Sequence, residues 1–208
     1  MEKFLQLKAV AAPLLRANID TDAIIPSREM KGVGKDGLSA GLFANWRYTD
    51  PVKRIENPDF VLNQEPYRGA RILLARGNFG CGSSREHAVW ALAEYGVRAV
   101  IAPSFGAIFY NNCVRNGILP VVLEEPLVNE LAAQVQAAPR TNLLDVDLPA
   151  QRVMTPRGEA YPFAISAGDK SILMGGLDSI DITLQNRAEI DGFETRDRSM
   201  RPWAYLTG

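Results

Sequence analysis

The chain has 208 residues, 47% of them hydrophobic and 23% charged, enough for one domain with a core of its own. Lys and Arg total 23 against 24 Asp and Glu, a formal charge of −1 that argues against a nucleic-acid binder. One histidine and two cysteines exclude a disulfide framework, an iron–sulfur cluster or a structural zinc held by this chain.

No apolar run reaches the ~18 residues of a membrane span, and the charged start Met1–Lys8 lacks a signal-peptide core. A cytoplasmic protein is expected. Residues 4–10 alternate loosely and read as a strand, followed by Pro13 and a polar turn cluster, Asn18–Asp22. Ile24 and Ile25 form an apolar step closed by Pro26, and the glycines at 32, 34, 37 and 41 predict a loop. Residues 49–69 read as a surface connection that packs through Phe60, Val61, Leu62 and Tyr67.

Residues 71–75 predict a buried strand, 77–82 a glycine-rich turn, and 84–95 a helix. Ala88, Ala91, Leu92 and Tyr95 share one face of that helix, and Gly96 suits its end. A strand at 99–102, a helix at 104–116 stopped by Gly117, a strand at 118–123 and a helix at 127–137 follow. This alternation predicts parallel pairing through right-handed crossovers. Residues 151–154 and 161–165 flank a Thr155–Gly158 turn and predict a β-hairpin; 169–185 read as helical in part, and 187–208 as a charged peripheral tail. The expected fold class is α/β, a partly parallel sheet flanked by helices with an appended antiparallel hairpin, in a single domain over 1–208.

The densest chemistry is Gly80-Cys-Gly-Ser-Ser-Arg-Glu-His87, between a strand end and a helix start. Glycines there let the backbone approach a ligand, unpaired helical N–H groups attract an anion, and Arg85 adds a fork suited to a carboxylate or phosphate. A dinucleotide site is rejected. The third glycine is missing, and no acidic residue stands between Glu94 and Glu124. No Gly-Lys-Ser/Thr follows, so the turn is not a phosphate-binding P-loop either.

Ser83-x-x-Glu86 fits a capping box, which would make Ser83 a helix cap. A serine-hydrolase reading is poor for want of an upstream base, and His87 is expected to brace the loop as a hydrogen-bonded structural histidine. Phe105, Phe109 and Tyr110 are expected in the core. Asp20 and Asp22 are expected to shape a turn, the alternative being contact with a partner or with Arg85. Cys81 is either a reactive thiol or simply a small residue beside two glycines.

Four blocks in order, Asn18–Pro26, Gly77–His87, Ala102–Tyr110 and Gly176–Ile180, resemble the small-subunit family of bacterial 3-isopropylmalate dehydratase, the swivel domain of the aconitase superfamily. The likeness spans nearly the whole chain. It implies a swivelling β/β/α domain that closes over a site built mainly by a large subunit carrying a [4Fe–4S] cluster, with no cofactor bound by this chain. It implies that Ser83 is the base that removes a proton beside a carboxylate, and that Ser84 and Arg85 bind a substrate carboxylate. The loop after Pro26 selects the substrate's side group in this family, which places Met30 and Lys31 among the substrate-binding residues. An aromatic followed by leucine is usual where this chain has Glu29 and Met30, a departure from the pattern.

The implied activity is the reversible dehydration that interconverts 2-isopropylmalate and 3-isopropylmalate in leucine biosynthesis. A related hydro-lyase acting on citraconate/2-methylmalate or dimethylmaleate is the alternative, since one methyl group discriminates by only ~1–3 kcal/mol. A carboxylate-binding module without catalysis is the rival from another class.

Overall fold

The computed structural model describes residues 1–30 and 34–205. In chain order the elements begin with β1 (Gln6–Ala9), β2 (Ala11–Leu14), α1 (Thr21–Ile24), α2 (Ala44–Arg47), β3 (Tyr48–Asp50), β4 (Ile55–Glu56), β5 (Ile72–Ala75) and α3 (Glu86–Tyr95). Then come β6 (Ala99–Ala102), α4 (Ala107–Arg115), β7 (Leu119–Val122), α5 (Glu125–Ala137), β8 (Leu144–Asp147), β9 (Arg152–Met154) and β10 (Ala160–Pro162). The chain finishes with α6 (Ala167–Gly175), α7 (Ser179–Leu184) and α8 (Arg187–Met200).

A parallel sheet of four strands, ordered β2-β5-β6-β7, forms the centre. Its strands are short and apolar throughout because both faces are covered. Leu73, Ala75, Val100 and Ala102 face a core shared with α1, α3 and the Phe60–Leu62 segment. Their neighbours Ile72, Leu74, Ala99 and Ile101 face a second core, shared with α5 and with the antiparallel sheet. Each such fully buried Leu or Ile contributes on the order of 2 kcal/mol from burial.

The expected α/β class with parallel strands therefore holds, and so does the hairpin, as β9 and β10. The hairpin is half of a larger object, a four-stranded antiparallel sheet ordered β1-β8-β9-β10. The strand expected within residues 4–10 is β1, which pairs with β8 in that sheet; after Val10 the chain crosses into a separate strand, β2, which pairs with β5. The tail beyond 187 is helical over α8, which exposes nearly all of its length. Three pairs of opposite charge four residues apart, Arg187–Asp191, Glu194–Arg198 and Asp197–Arg201, support it locally.

Candidate functional site

Three loops leave the carboxyl ends of β2, β5 and β6 and lie side by side, the edge of a parallel sheet at which ligands bind in α/β folds. The middle one, residues 76–85, is stitched to both neighbours. Asn18 N donates to Gly77 O at 2.9 Å, Gly80 N to Ile19 O at 2.7 Å and Thr21 N to Cys81 O at 3.0 Å. On the other side Phe79 N donates to Ser104 O at 3.0 Å, and Gly106 N to Phe79 O at 2.9 Å.

Glycine is required where these strands of loop touch. Gly80 has φ of +73°, and a Cβ there would lie 2.1 Å from the Phe109 ring. A Cβ on Gly106 would lie 2.5 Å from the Gly80 carbonyl oxygen. Phe79 is wholly buried beneath the turn, edge-on to Phe109 with ring centres 5.4 Å apart. Phe109 thus sits in the core as expected, while Phe105 and Tyr110 are only half-buried at its margin.

On this support the side chains of Ser83 and Ser84 are exposed and Arg85 is half-buried. The capping-box expectation fails. Helix α3 begins at Glu86, its N-cap position is Arg85, and no side chain caps it. The cause is a tertiary bond: the buried Thr21 donates through Oγ1 to the Ser83 carbonyl at 3.0 Å, and Arg85 N donates to the same oxygen at 2.8 Å. That clamp holds Arg85 in an extended conformation, and the Ser83 hydroxyl has no hydrogen-bond partner among the described residues. Glu86, the other half of the supposed box, accepts instead from Asn116 Nδ2 at 2.8 Å.

The two aspartates divide the roles considered for them. Asp20 shapes the turn, accepting from Ala23 N at 2.7 Å as the cap of α1. Asp22, one position into that helix, forms an ion pair with Arg85. His87 stacks at a tilt on Trp90, with ring centres 4.7 Å apart, and has no hydrogen-bond partner among the described residues. It braces the helix start by contact rather than by the expected hydrogen bond.

The loop after Pro26 opens with a turn of 3-10 helix, Ser27–Glu29. Glu29 points inward, its side chain only 7% exposed, and pairs with Arg54 and, at 3.4 Å, with Arg28. Met30 is half-buried and packed against the core. Lys31, the other residue expected to meet the substrate's side group, lies outside the described residues.

Further along, Glu94 of α3 accepts from Gly37 N and Ser39 N, each at 2.6 Å. Burial pushes the Glu94 carboxyl up, but the backbone N–H groups of Gly37, Ser39 and Leu38 and the Ser39 hydroxyl together hold it below its ordinary value. Sequence reasoning missed both Thr21 and Glu94. Each acts on a segment more than 50 residues away (62 for Thr21, 57 for Glu94), and no local pattern marks such a bond.

The donor set of this chain does not fit an iron–sulfur cluster. Cys113 is fully buried, burial pushes its thiol well up, and Cys81 stands alone on the turn. Among the described residues no three of His, Cys, Asp and Glu come together as a metal site. Nor is any helix among them long and apolar enough to cross a membrane.

The family model of the aconitase C-terminal domain matches residues 1–126, and that described as LeuD_N matches 129–167. Sheet, glycine turn and the Ser-Ser-Arg that follows it thus define a domain of the aconitase C-terminal class. The 3-isopropylmalate dehydratase small subunit of Cupriavidus necator is 56% identical over 208 residues, all of both chains. That of Magnetococcus marinus is 52% identical over 213 residues, covering 99% of this chain and 100% of the relative. The chain belongs to the 3-isopropylmalate dehydratase small-subunit family. The crystal structure of 3-isopropylmalate dehydratase from Methanocaldococcus jannaschii shares the fold, with a TM-score of 0.64 at 24% identity over 91% of this chain and 99% of that one.

Proposed function

We propose that this chain is the small subunit of a 3-isopropylmalate dehydratase, a hydro-lyase that interconverts 2-isopropylmalate and 3-isopropylmalate in leucine biosynthesis. It works only when closed against a large subunit that carries a [4Fe–4S] cluster. The observation that carries the reading is the Gly-Ser-Ser-Arg turn, which presents the exposed Ser83 and Ser84 side chains and the half-buried Arg85 on a backbone fastened on both sides.

Ser83 Oγ takes a proton from the carbon beside a substrate carboxylate, and the electron pair of that C–H bond becomes the double bond of isopropylmaleate. Departure of the hydroxyl from the adjacent carbon belongs to the large subunit. A serine oxygen is a poor base in water, so it depends on a site that stabilises negative charge. The amino end of α3 opens beside the turn, and its first N–H groups lack intrahelical acceptors. Arg85 holds the carboxylate with its fork and Ser84 donates a hydroxyl hydrogen bond. Lys31 and Met30 belong to the loop that meets the substrate's side group. Met30, half-buried against the core, leaves part of its side chain for that contact.

The test is the chain co-purified with its cluster-bearing partner under anaerobic conditions, followed by absorbance of the unsaturated diacid. 3-Isopropylmalate, 2-methylmalate and dimethylmalate are compared in parallel. Turnover only in the mixture, fastest on 3-isopropylmalate, is expected. Faster turnover of a smaller diacid would move the substrate while keeping the chemistry, and tight binding of a diacid by the chain alone, without turnover in the complex, would favour a binding module. Ser83→Ala is expected to cut turnover by at least ~10³-fold with assembly intact; retained activity would remove Ser83 as the base.

A further inference from the structure

Arg85 is already engaged in this structure, though not across its fork. Its Nη1 pairs with Asp22 Oδ1, 63 residues away in sequence, and the same oxygen accepts from Ser27 Oγ at 3.3 Å. The Nε and Nη2 donors of Arg85 have no acceptor among the described residues. A guanidinium presents its five N–H donors in one plane. Held at Nη1, it keeps its Nε–Nη2 edge open, an edge that meets a carboxylate through two parallel hydrogen bonds.

Asp22 is itself held in place. It lies in α1 directly after Thr21, whose side chain is bonded to the Ser83 carbonyl, and two residues after the Asp20 cap. The pair is therefore a strut between α1 and the turn. With Asp22 56% exposed, such a pair adds little to stability. Its effect is to fix the long, flexible arginine before a ligand arrives, which lowers the ordering cost of binding. Through Ser27 the same carboxylate also touches the first residue of the 3-10 turn that opens the loop after Pro26.

We propose that Asp22 is a positioning residue: it pins the Arg85 guanidinium by one corner so that the open edge faces the substrate carboxylate, and it ties that edge to the start of the loop that meets the substrate's side group. This rests on the assignment of Arg85 as the carboxylate ligand. A competing role, with Asp22 occupying Arg85 until substrate displaces it, fits less well. A displaceable stand-in would occupy the fork edge, and Asp22 leaves that edge open.

The experiment is a double-mutant cycle in the reconstituted two-subunit complex with 3-isopropylmalate, with subunit association and the small subunit's melting temperature measured for each variant. Asp22→Asn is expected to raise KM about tenfold, leave kcat within about twofold and shift the melting temperature by no more than about 2 °C. In the Arg85→Lys background, which lacks the planar fork, the same change is expected to add almost nothing. A merely structural Asp22 would lower stability and act additively. An unchanged KM in Asp22→Asn, a KM that falls, a variant that no longer associates, or a full tenfold effect in the Arg85→Lys background each overturns the proposal while the wild-type complex is active. A wild-type complex inert on every diacid overturns the reading of Arg85 itself, and this proposal with it.

Discussion

The turn at residues 77–85 and the arm at residues 187–204 are both exposed, in opposite ways. The turn exposes polar side chains on a backbone locked by bonds from Ile19, Thr21 and Ser104, above a wholly buried Phe79. The arm exposes apolar side chains, among them Phe193 at 56% on α8 and Trp203 at 78% in the 3-10 turn after it, and the helix is fastened mainly by its own i,i+4 pairs. A site that must hold substrate precisely gains that precision from what is buried beneath and beside it. Exposure alone distinguishes nothing.

The sharpest way to break this contrast is to disturb the buried support without touching the exposed groups. Gly80→Ala combines a positive φ with a collision against the Phe109 ring and is expected to cost about 4 kcal/mol in denaturant unfolding, with loss of turnover. Gly82→Ala, two residues on, also has positive φ (+88°), but its Cβ would meet Asp20 Cβ at 3.5 Å and Thr21 Oγ1 at 3.9 Å, ordinary contact distances. It is expected to cost about 1 kcal/mol. Equal costs would mean that backbone conformation, rather than the contact with Phe109, imposes glycine at position 80.

Thr21→Val keeps shape and burial but removes the donor to the Ser83 carbonyl. About 1 kcal/mol of stability is expected to go. A larger relative loss, about tenfold in kcat, is expected because a catalytic side chain misplaced by an ångström reacts poorly. If stability falls and kcat does not, the clamp holds the fold rather than the base.

Much of this support was legible in sequence, and the exceptions share a cause. The all-apolar runs of β5 and β6 read as buried strands because a sheet covered on both faces needs no polar positions. The glycine turn was legible for its density. Ser83-x-x-Glu86 misled because a local capping pattern was overridden by Thr21, a residue no spacing rule connects to it. Strand β8, Leu-Asp-Val-Asp, alternates correctly, with Leu144 and Val146 buried, but four residues make a weak signal. Helix α8 was read only as a tail because it turns no continuous apolar face inward.

Glu94 tests how far the support extends into the loop it holds. Its carboxyl is held below the ordinary value in the folded chain, so the stabilisation it gives is present above about pH 4.5 and is lost as pH falls through its folded-state value. Glu94→Gln is expected to speed hydrogen exchange at the Gly37 and Ser39 amides roughly tenfold at neutral pH and to flatten the acid dependence of that exchange. Unchanged exchange would mean the loop is held by its contacts with the core alone.

The smallest effect is expected in the arm. Phe193 lies 56% exposed on α8, three residues from Ile190, which is 38% exposed, so Phe193→Ser removes little buried area. It is expected to change unfolding free energy by no more than about 0.5 kcal/mol. What holds the arm is electrostatic. The Arg201 guanidinium and the Tyr205 hydroxyl hold the Asp197 carboxyl below its usual range, so that corner is intact at neutral pH and loosens as pH falls below about 4. Far-UV circular dichroism of the chain should therefore report partial helix loss in acid before global unfolding, and Asp197→Asn should remove that early phase. A Phe193→Ser cost of several kcal/mol would instead mean that the arm is packed, and the contrast with the turn would collapse.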